Sequence, residues 1–214
     1  ACSGGRGRLS AFHGEHGGAA GRWRDGRWPL MSPEVVLSGL LLAAVLLVCV
    51  VVVVDTLRLG APPMPSGAAA RRCLVSMLPT APGLVCWELG AGWGGLAVAI
   101  AEARPTWTVV AWEAAWVPWL VCALRVRVLG PSNVHVRRGD VLSQDLGEAR
   151  VLTTYLLGTQ TEALRVRLGA HPGPWTLLSV HFALRGVVAA REARAQDLHR
   201  TPVIVYESEA LDGP

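Results

Sequence analysis

One stretch of the chain decides its fold, and it reads Leu84-Val85-Cys86-Trp87-Glu88-Leu89-Gly90-Ala91-Gly92-Trp93-Gly94-Gly95. Apolar and aromatic residues dominate its first half, as in a parallel strand covered on both faces, and the apolar run 96–101 behind it is typical of a helix. Glycine lets the backbone turn tightly and lets a ligand approach closer than a Cβ atom permits, while the N-terminus of the helix offers free N–H groups. The stretch therefore predicts a strand, a glycine turn and a helix that bind a nucleotide-like ligand.

The glycine spacing alone leaves two ligand classes open. Gly90, Gly92 and Gly95 satisfy the G-x-G-x-x-G pattern of dinucleotide-binding proteins, so an NAD(P) oxidoreductase is one interpretation. Glu88 argues against it, because a carboxylate beside the two phosphates of a dinucleotide would repel them. An oxidoreductase would also need a catalytic group near the nicotinamide, and little chain remains to supply one.

The string from Glu88 to the third glycine resembles motif I of the class I S-adenosylmethionine (SAM) methyltransferases. The resemblance implies that Glu88 holds the amino group of the methionine part of SAM. It also implies that the loop borders the methionine and ribose parts of the cofactor, through Gly90, Ala91, Gly92 and Gly94.

Two more acids follow predicted strands. Glu113 ends the predicted strand 106–113 and lies nineteen residues after Gly94, the distance at which a βαβ unit returns an acid to ribose hydroxyls. NAD enzymes and methyltransferases share this feature. Asp140 lies near the end of the predicted strand 133–141, and the resemblance implies that it contacts the adenine amino group.

Strands and helices alternate along the rest of the chain, with helices predicted at 67–78, 118–129 and 161–168 and strands at 149–156, 174–182 and 200–206. The last two strands lack a long helix between them, as in the methyltransferase sheet that ends in an antiparallel hairpin. The predicted fold class is α/β, with a Rossmann-like, mostly parallel class I methyltransferase sheet, an antiparallel last strand and one preceding transmembrane helix. The methyltransferase domain is predicted to span 67–206, followed by a tail at 207–214.

The apolar content, 51%, is high for a soluble protein, and the excess comes from residues 35–54, which are twenty residues without a charge. A helix of that length spans the roughly 30 Å hydrocarbon core of a bilayer, and it is too long for the apolar part of a signal peptide. We expect a single-pass membrane anchor, with a buried core helix as the rival interpretation and a linker at 55–66. Arg58, Arg71 and Arg72 follow the anchor, and the positive-inside rule then places the domain on the cytoplasmic face.

Residues 1–30 are rich in glycine and arginine without a hydrophobic period, which indicates a disordered tail or an extension that the mature protein lacks. Without that segment the charges nearly balance, and no basic stripe is present, so we expect no nucleic-acid partner. The five cysteines and six histidines lack metal-ligand spacing apart from His13 and His16 in the tail. We therefore expect no metal site.

The chain resembles membrane-anchored class I methyltransferases and is similar to the mitochondrial lysine methyltransferases of ATP synthase c-subunit and adenine nucleotide translocase. The shared features are an N-terminal apolar helix, a proline-rich linker at 62–66, and an acid followed by Pro-Trp-Leu, here Glu113 and 118–120 with residues 114–117 inserted between them. The resemblance implies a mitochondrial membrane as the alternative location and a membrane-protein lysine as the methyl acceptor. A SAM-binding membrane scaffold without turnover would show the same cofactor motifs.

The fourth predicted strand indicates the class of acceptor. It reads Thr153-Thr154-Tyr155-Leu156-Leu157, without the Asn/Asp-Pro-Pro-Tyr/Phe motif of enzymes that methylate planar nitrogens. Tyr155 lies at the carboxyl end of this strand, where ligands bind in open α/β sheets. We expect its hydroxyl to accept a hydrogen bond from an incoming amine, and Tyr155 is the candidate catalytic residue.

Overall fold

The computed structural model describes residues 32–60, 65–171 and 173–211, so the predicted tail 1–30 and residues 61–64 of the predicted linker lie outside the described part. The chain divides into two compact units, residues 1–43 and 44–214. The second unit contains all seven described strands. Its helices are the end of α1 (Pro33–Leu59) and the whole of α2 (Ala68–Met77), α3 (Gly95–Ala103), α4 (Trp116–Leu129) and α5 (Gly158–Leu168).

The strands form one sheet in the order β3-β2-β1-β4-β5-β7-β6. Strand β7 is antiparallel to both of its neighbours, and the other neighbouring pairs are parallel. The predicted fold class, a mostly parallel sheet with an antiparallel last strand behind an apolar helix, is confirmed. The strands are β1 (Val85–Leu89), β2 (Thr108–Glu113), β3 (Val134–Arg138), β4 (Val151–Thr154), β5 (Thr176–Val180), β6 (Arg191–Arg194) and β7 (Pro202–Glu207).

Two details differ from the sequence-based expectation. Strand β6 was not predicted, because its residues are exposed and carry no apolar run; it pairs only with β7 at the sheet edge. Glu207 belongs to β7 and a 3-10 helix follows at Ser208–Leu211, so ordered structure continues into the segment predicted as a tail.

The central strands of the sheet are buried on both faces, which explains their nearly continuous apolar character. One face packs against α2 and α3 through Leu74, Leu96 and Ile100, all at most 3% exposed. The other face packs against α5 through Leu164 and Leu168. The core therefore holds the strand ends, and the loops behind them, in fixed positions.

The order of connection reverses between β1 and β4, because β2 and β3 lie on one side of β1 while β4 and β5 lie on the other. The loops that leave these two strands diverge, and a crevice opens between them at the carboxyl ends. Both the glycine loop after β1 and Tyr155 after β4 border this crevice.

Helix α1 is long and apolar enough to cross a membrane, and it is the one such helix in the described residues. Large apolar side chains such as Val45 and Leu47 are more than half exposed, whereas Asp55 is its only buried residue. The helix continues to Leu59, so the first residues of the predicted linker 55–66 are helical. This extension brings Asp55 against the sheet domain.

Candidate functional site

The glycine loop is fastened to the end of the neighbouring strand. The N–H groups of Gly90 and Ala91 both donate to the carbonyl oxygen of Trp112 in β2, at 3.0 and 2.8 Å. Because β1 and β2 are adjacent and parallel, these bonds fold the loop back over the carboxyl end of β2. The loop then leads directly into the N-terminus of α3.

Two glycines of the loop differ in what a side chain would meet. Gly92 has a φ of +54°, and an added Cβ would meet no atom within 4 Å, so this position faces open space. Gly94 has a φ of +74°, and an added Cβ would lie 2.6 Å from Sγ of Cys122 in α4. Gly92 therefore borders the crevice, while Gly94, which the resemblance placed at the cofactor, serves the close packing of α3 and α4.

Glu88 occupies the centre of β1, paired with Ala111 and Thr153 on either side, and is 3% exposed. Among the described residues its Oε2 atom has no hydrogen-bond partner. Burial raises the pKa of this carboxyl well above its ordinary value, and the negative charge of Glu113 adds to the effect, against the opposing influence of the Ala97 N–H and Arg71. A buried carboxyl with a free oxygen is stabilised by a cationic partner.

Glu113 holds two pieces of backbone in place. Its Oε2 accepts the N–H of Gly92 at 2.7 Å, and its Oε1 accepts the N–H of Ala115 at 2.8 Å. It thereby joins the glycine loop to the start of α4. Each carboxylate oxygen has a second lone pair, so Glu113 can still accept hydrogen bonds from a ligand.

Asp140 follows β3 and is exposed on the wall of the crevice. Its Oδ1 accepts the N–H of Leu142 at 2.9 Å and so caps a short 3-10 helix at Val141–Ser143. Three predicted strand-end acids therefore border one crevice, but Glu88 is buried, Glu113 is tied to backbone and Asp140 is the most accessible.

The crevice has two parts. We call the larger part the main cleft; its wall includes Gly92, Glu113, Asp140 and Tyr155. We call the smaller part the side pocket; it lies against Glu88 and Trp93 and includes Arg71 and Arg125. Gly90 and Tyr155 line both parts, so a single elongated ligand can occupy them together.

The charges in the two parts differ. The described lining of the main cleft carries three carboxylates, Asp55, Glu113 and Asp140, and no basic side chain. The side pocket combines the Glu88 carboxyl with two arginines. The main cleft therefore favours a cation, whereas the side pocket suits a group that carries both charges.

The end of α1 forms one wall of the main cleft, which sequence reasoning did not anticipate. Asp55 accepts the N–H of Trp116 at 2.7 Å through Oδ2, and Gln160 of α5 donates to the carbonyl oxygen of Leu59 at 3.2 Å. Thr56 and Leu59 also line the cleft. The one available signal was an acid at the end of an uncharged run, because such a residue is costly near a membrane unless it has a partner.

Tyr155 begins the loop after β4, at the mouth of the switch point between β1 and β4. Its ring lies edge-on to His181, with 6.3 Å between ring centroids, and is tilted against Phe182 at 6.5 Å. His181 and Phe182 follow β5, and Phe182 also lines the main cleft. Sequence reasoning named Tyr155 and missed its two aromatic neighbours, since their proximity depends on the pairing of β4 with β5.

Comparison with known proteins finds solved structures with a similar fold and no match by sequence. No family model matches the chain, and no curated protein matches its sequence. Among solved structures, an RNA methyltransferase from Salinibacter ruber in complex with S-adenosyl-L-homocysteine matches with a TM-score of 0.61 and 22% identity, over 67% of this chain and 93% of that one. The chain has the fold of class I SAM-dependent methyltransferases.

Two further solved structures support the same conclusion about the fold. A precorrin-6y C5,15-methyltransferase from Geobacter metallireducens matches with a TM-score of 0.55 and 14% identity, over 69% of this chain and 90% of that one. A tRNA methyltransferase from B. subtilis matches with a TM-score of 0.55 and 19% identity, over 69% and 68% of the two chains. The methyl acceptors in these names differ, and the shared feature is the methyltransferase fold.

Proposed function

We propose that the chain is a membrane-anchored SAM-dependent methyltransferase whose acceptor is an amine at the membrane surface, such as a lysine of a membrane protein. The observation that carries the proposal is Glu88, whose buried Oε2 lacks a partner directly beside the glycine loop of a methyltransferase fold. A buried acid in this position is costly unless a cation binds to it. The amino group of SAM is such a cation.

The described residues fit SAM along the whole crevice. Glu88 would hold the α-amino group in the side pocket, and Arg71 and Arg125 would hold the α-carboxylate. Gly92 leaves room for the close approach of the ligand. Glu113 and Asp140 would accept hydrogen bonds from the ribose hydroxyls and the adenine amino group in the main cleft.

Bound SAM supplies a methyl group on a positively charged sulfur, already activated for displacement. The protein has to align donor and acceptor and remove water. The acidic lining of the main cleft favours the positive charge of the cofactor, and the Trp112 carbonyl and Glu113 keep the glycine loop in one conformation. No further acid or base is required for the displacement itself.

An amine acceptor is supported by the other half of the main cleft. Asp55 offers a carboxylate, while Tyr155 and Phe182 offer aromatic faces that attract ammonium groups. A lysine must lose its proton before it attacks: the carboxylates of this cleft favour the incoming ammonium form, and partial desolvation opposes them by favouring the neutral amine. The acidic lining would repel the phosphates of a nucleic acid, which supports the expectation of a non-nucleic-acid acceptor.

The anchor is supported by α1, whose apolar side chains are exposed along its length. The large apolar area is unfavourable in water and favourable in lipid. Since the end of α1 also lines the main cleft, the proposed site lies close to the point where the chain leaves the bilayer. An acceptor at the membrane surface follows from this position.

The two rival functions make different predictions. An NAD(P) oxidoreductase would have to place phosphates beside Glu88, which the buried carboxyl disfavours. A SAM-binding scaffold would bind the cofactor without transferring its methyl group. Calorimetry on the detergent-solubilised full chain should therefore show binding of SAM and S-adenosylhomocysteine and none of NAD.

Incubation of the same protein with methyl-labelled SAM and membranes tests turnover. We expect label in membrane protein. Binding without transfer would support the scaffold, transfer to soluble nucleic acid would refute the amine acceptor, and tighter binding of NAD than of SAM would refute the whole proposal.

A further inference from the structure

Helix α4 has an apolar outer surface that no described residue covers. Its inner side is buried through Pro118 and Cys122. The outer side exposes five large apolar residues to between 39% and 73%, and we call them the α4 face: Trp116, Leu120, Val121, Leu124 and Val128. At about 100° per residue they fall within an arc of about 140° that runs the length of the helix.

The α4 face differs from the exposed side of α5. Among the described residues of α5 only Val166 is a large apolar side chain in an exposed position, and Glu162 and Arg165 form an ion pair at its surface. Most of the solvent-facing side chains of α5 are therefore polar, as expected for a helix between a core and water. Helix α4 is apolar on both sides, which is expected of a helix that has a second apolar environment.

The position of the α4 face indicates what that environment is. The first residue of the helix, Trp116, donates its backbone N–H to Asp55 at the end of the apolar helix α1. Leu57, in the last turns of α1, is itself 78% exposed. The α4 face thus begins beside Asp55, near the point where the proposed membrane anchor ends.

Apart from Asp55, which accepts the Trp116 N–H at its start, the charged side chains beside the α4 face are basic. Helix α4 contains no acid, and Arg127 of α4 and Arg138 of β3 are both exposed. The guanidinium carbon of Arg138 lies 3.8 Å from the ring centroid of Trp116. Arginine beside tryptophan at the rim of an apolar face is typical of a surface that lies in the headgroup region of a bilayer with anionic lipids.

We propose that the α4 face binds the membrane interface, as a second contact beside the anchor. This inference rests on the membrane attachment in the proposed function. Ala114 and Ala115, which immediately precede α4, line the main cleft. Contact of α4 with lipid therefore holds the cleft at the bilayer surface, in reach of an amine that projects from a membrane protein.

A second copy of the chain is the main alternative occupant. In a two-fold dimer the same patch from each copy meets, so two surfaces that both carry Arg127 and Arg138 would face each other. The described α4 face carries no acid that would compensate for this repulsion. Anionic lipid headgroups supply the missing negative charge.

Photo-cross-linking tests the inference in the full chain, reconstituted in phosphatidylcholine vesicles with and without phosphatidylglycerol. The variant Leu124→p-benzoylphenylalanine places the probe on the α4 face, and Val166→p-benzoylphenylalanine is the control at a similarly exposed apolar position, 63% against 55%. We expect several-fold more lipid adduct from position 124 than from position 166. The adduct from position 124 should fall when phosphatidylglycerol is omitted or when Arg127 is changed to glutamine.

Equal lipid adducts from the two positions would overturn the inference, and so would protein dimers as the main product at position 124. Carbonate extraction of the same samples tests the anchor separately. If the protein resists carbonate extraction but gives no excess of lipid adduct at position 124, the anchor is supported and the α4 contact is refuted. If carbonate releases the protein but lipid adduct still forms in excess at position 124, the anchor is refuted and the α4 contact is supported.

Discussion

The two halves of the crevice are assembled in different ways. On the glycine-loop side, the contacts join residues that are close in sequence, as when Gly92 donates to Glu113 across 21 positions. On the side of α1, β4 and β5, the contacts join distant segments, such as Asp55 with Trp116 across 61 positions and Gln160 with Leu59 across 101. The first half is part of one βαβ unit, whereas the second exists only when α1 is docked.

This difference separates the two substrates of the proposed reaction. In the proposed function, the glycine-loop half holds SAM and the α1 half receives the acceptor. Changes in the first half should therefore alter cofactor affinity, and changes in the second half should alter acceptor use with little effect on the cofactor. The following substitutions test that separation.

The largest effect is expected from Gly92→Val. The new side chain would enter the space that the ligand needs and would also strain a backbone with positive φ, so calorimetry should detect no SAM binding. Gly83→Val is the matched control, because Gly83 has a φ of +69° and equally open surroundings but lies in the turn before β1. Loss of SAM binding in both variants would show that strain alone is responsible.

Glu88→Gln should weaken SAM by about 1.5–3 kcal/mol, the typical value of a hydrogen bond to a charged group. The same change should raise the stability of the ligand-free protein near neutral pH. Burial raises the pKa of Glu88, so between the ordinary carboxyl range and this raised pKa the folded state binds a proton that the unfolded chain has lost. Stability of the unsubstituted protein therefore falls as pH rises through that interval.

Thermal unfolding in detergent measures this pH dependence of the stability if it is done at about pH 5, just above the ordinary carboxyl pKa, and at about pH 8. Glu88→Gln cannot titrate and should lose less stability over the same range than the unsubstituted protein. Since a cationic amino group requires the ionised carboxylate, SAM affinity of the unsubstituted protein should rise with pH. Parallel stability curves for the two proteins would contradict the buried-acid account.

Asp55→Asn tests the acceptor half. The amide oxygen can still accept the Trp116 N–H, so the contact of α1 with α4 is retained while the charge is lost. We expect a roughly tenfold higher membrane concentration for half-maximal methyl transfer, the effect of about 1.4 kcal/mol, with SAM affinity unchanged. Asp55→Glu should restore part of the activity, and full activity in Asp55→Asn would leave Asp55 with a helix-capping role only.

The smallest effect is expected from Tyr155→Phe. The substitution keeps the aromatic packing against His181 and Phe182 and removes one hydroxyl, so turnover should fall by the equivalent of about 0.5–1.5 kcal/mol. SAM affinity, measured in the same preparation, should not change. A weaker SAM affinity with normal turnover at saturating SAM would assign Tyr155 to the cofactor half instead.

The glycine-loop half could be predicted because its signals are local. A strand covered on both faces, the glycines at 90, 92 and 94, and the acids at 88 and 113 lie within thirty residues, and the handedness of a βαβ unit fixes where they meet. The mostly parallel character of the sheet followed from the same alternation of strands and helices. Strand β6 escaped prediction because it is exposed and held only by its pairing with β7.

The sequence by itself determined the fold class and indicated the strand-end residues that border the crevice, since periodicity and short spacings encode both. Only the tertiary structure decided that Gly94 serves packing, that Glu113 is bound to backbone, and that Asp55 reaches the main cleft. The physical reason is the range of the contacts. Asp55, at the end of an apolar helix, has no partner nearby in the sequence. Its partner is the N–H of Trp116, 61 positions away, and the folded sheet brings α4 beside α1.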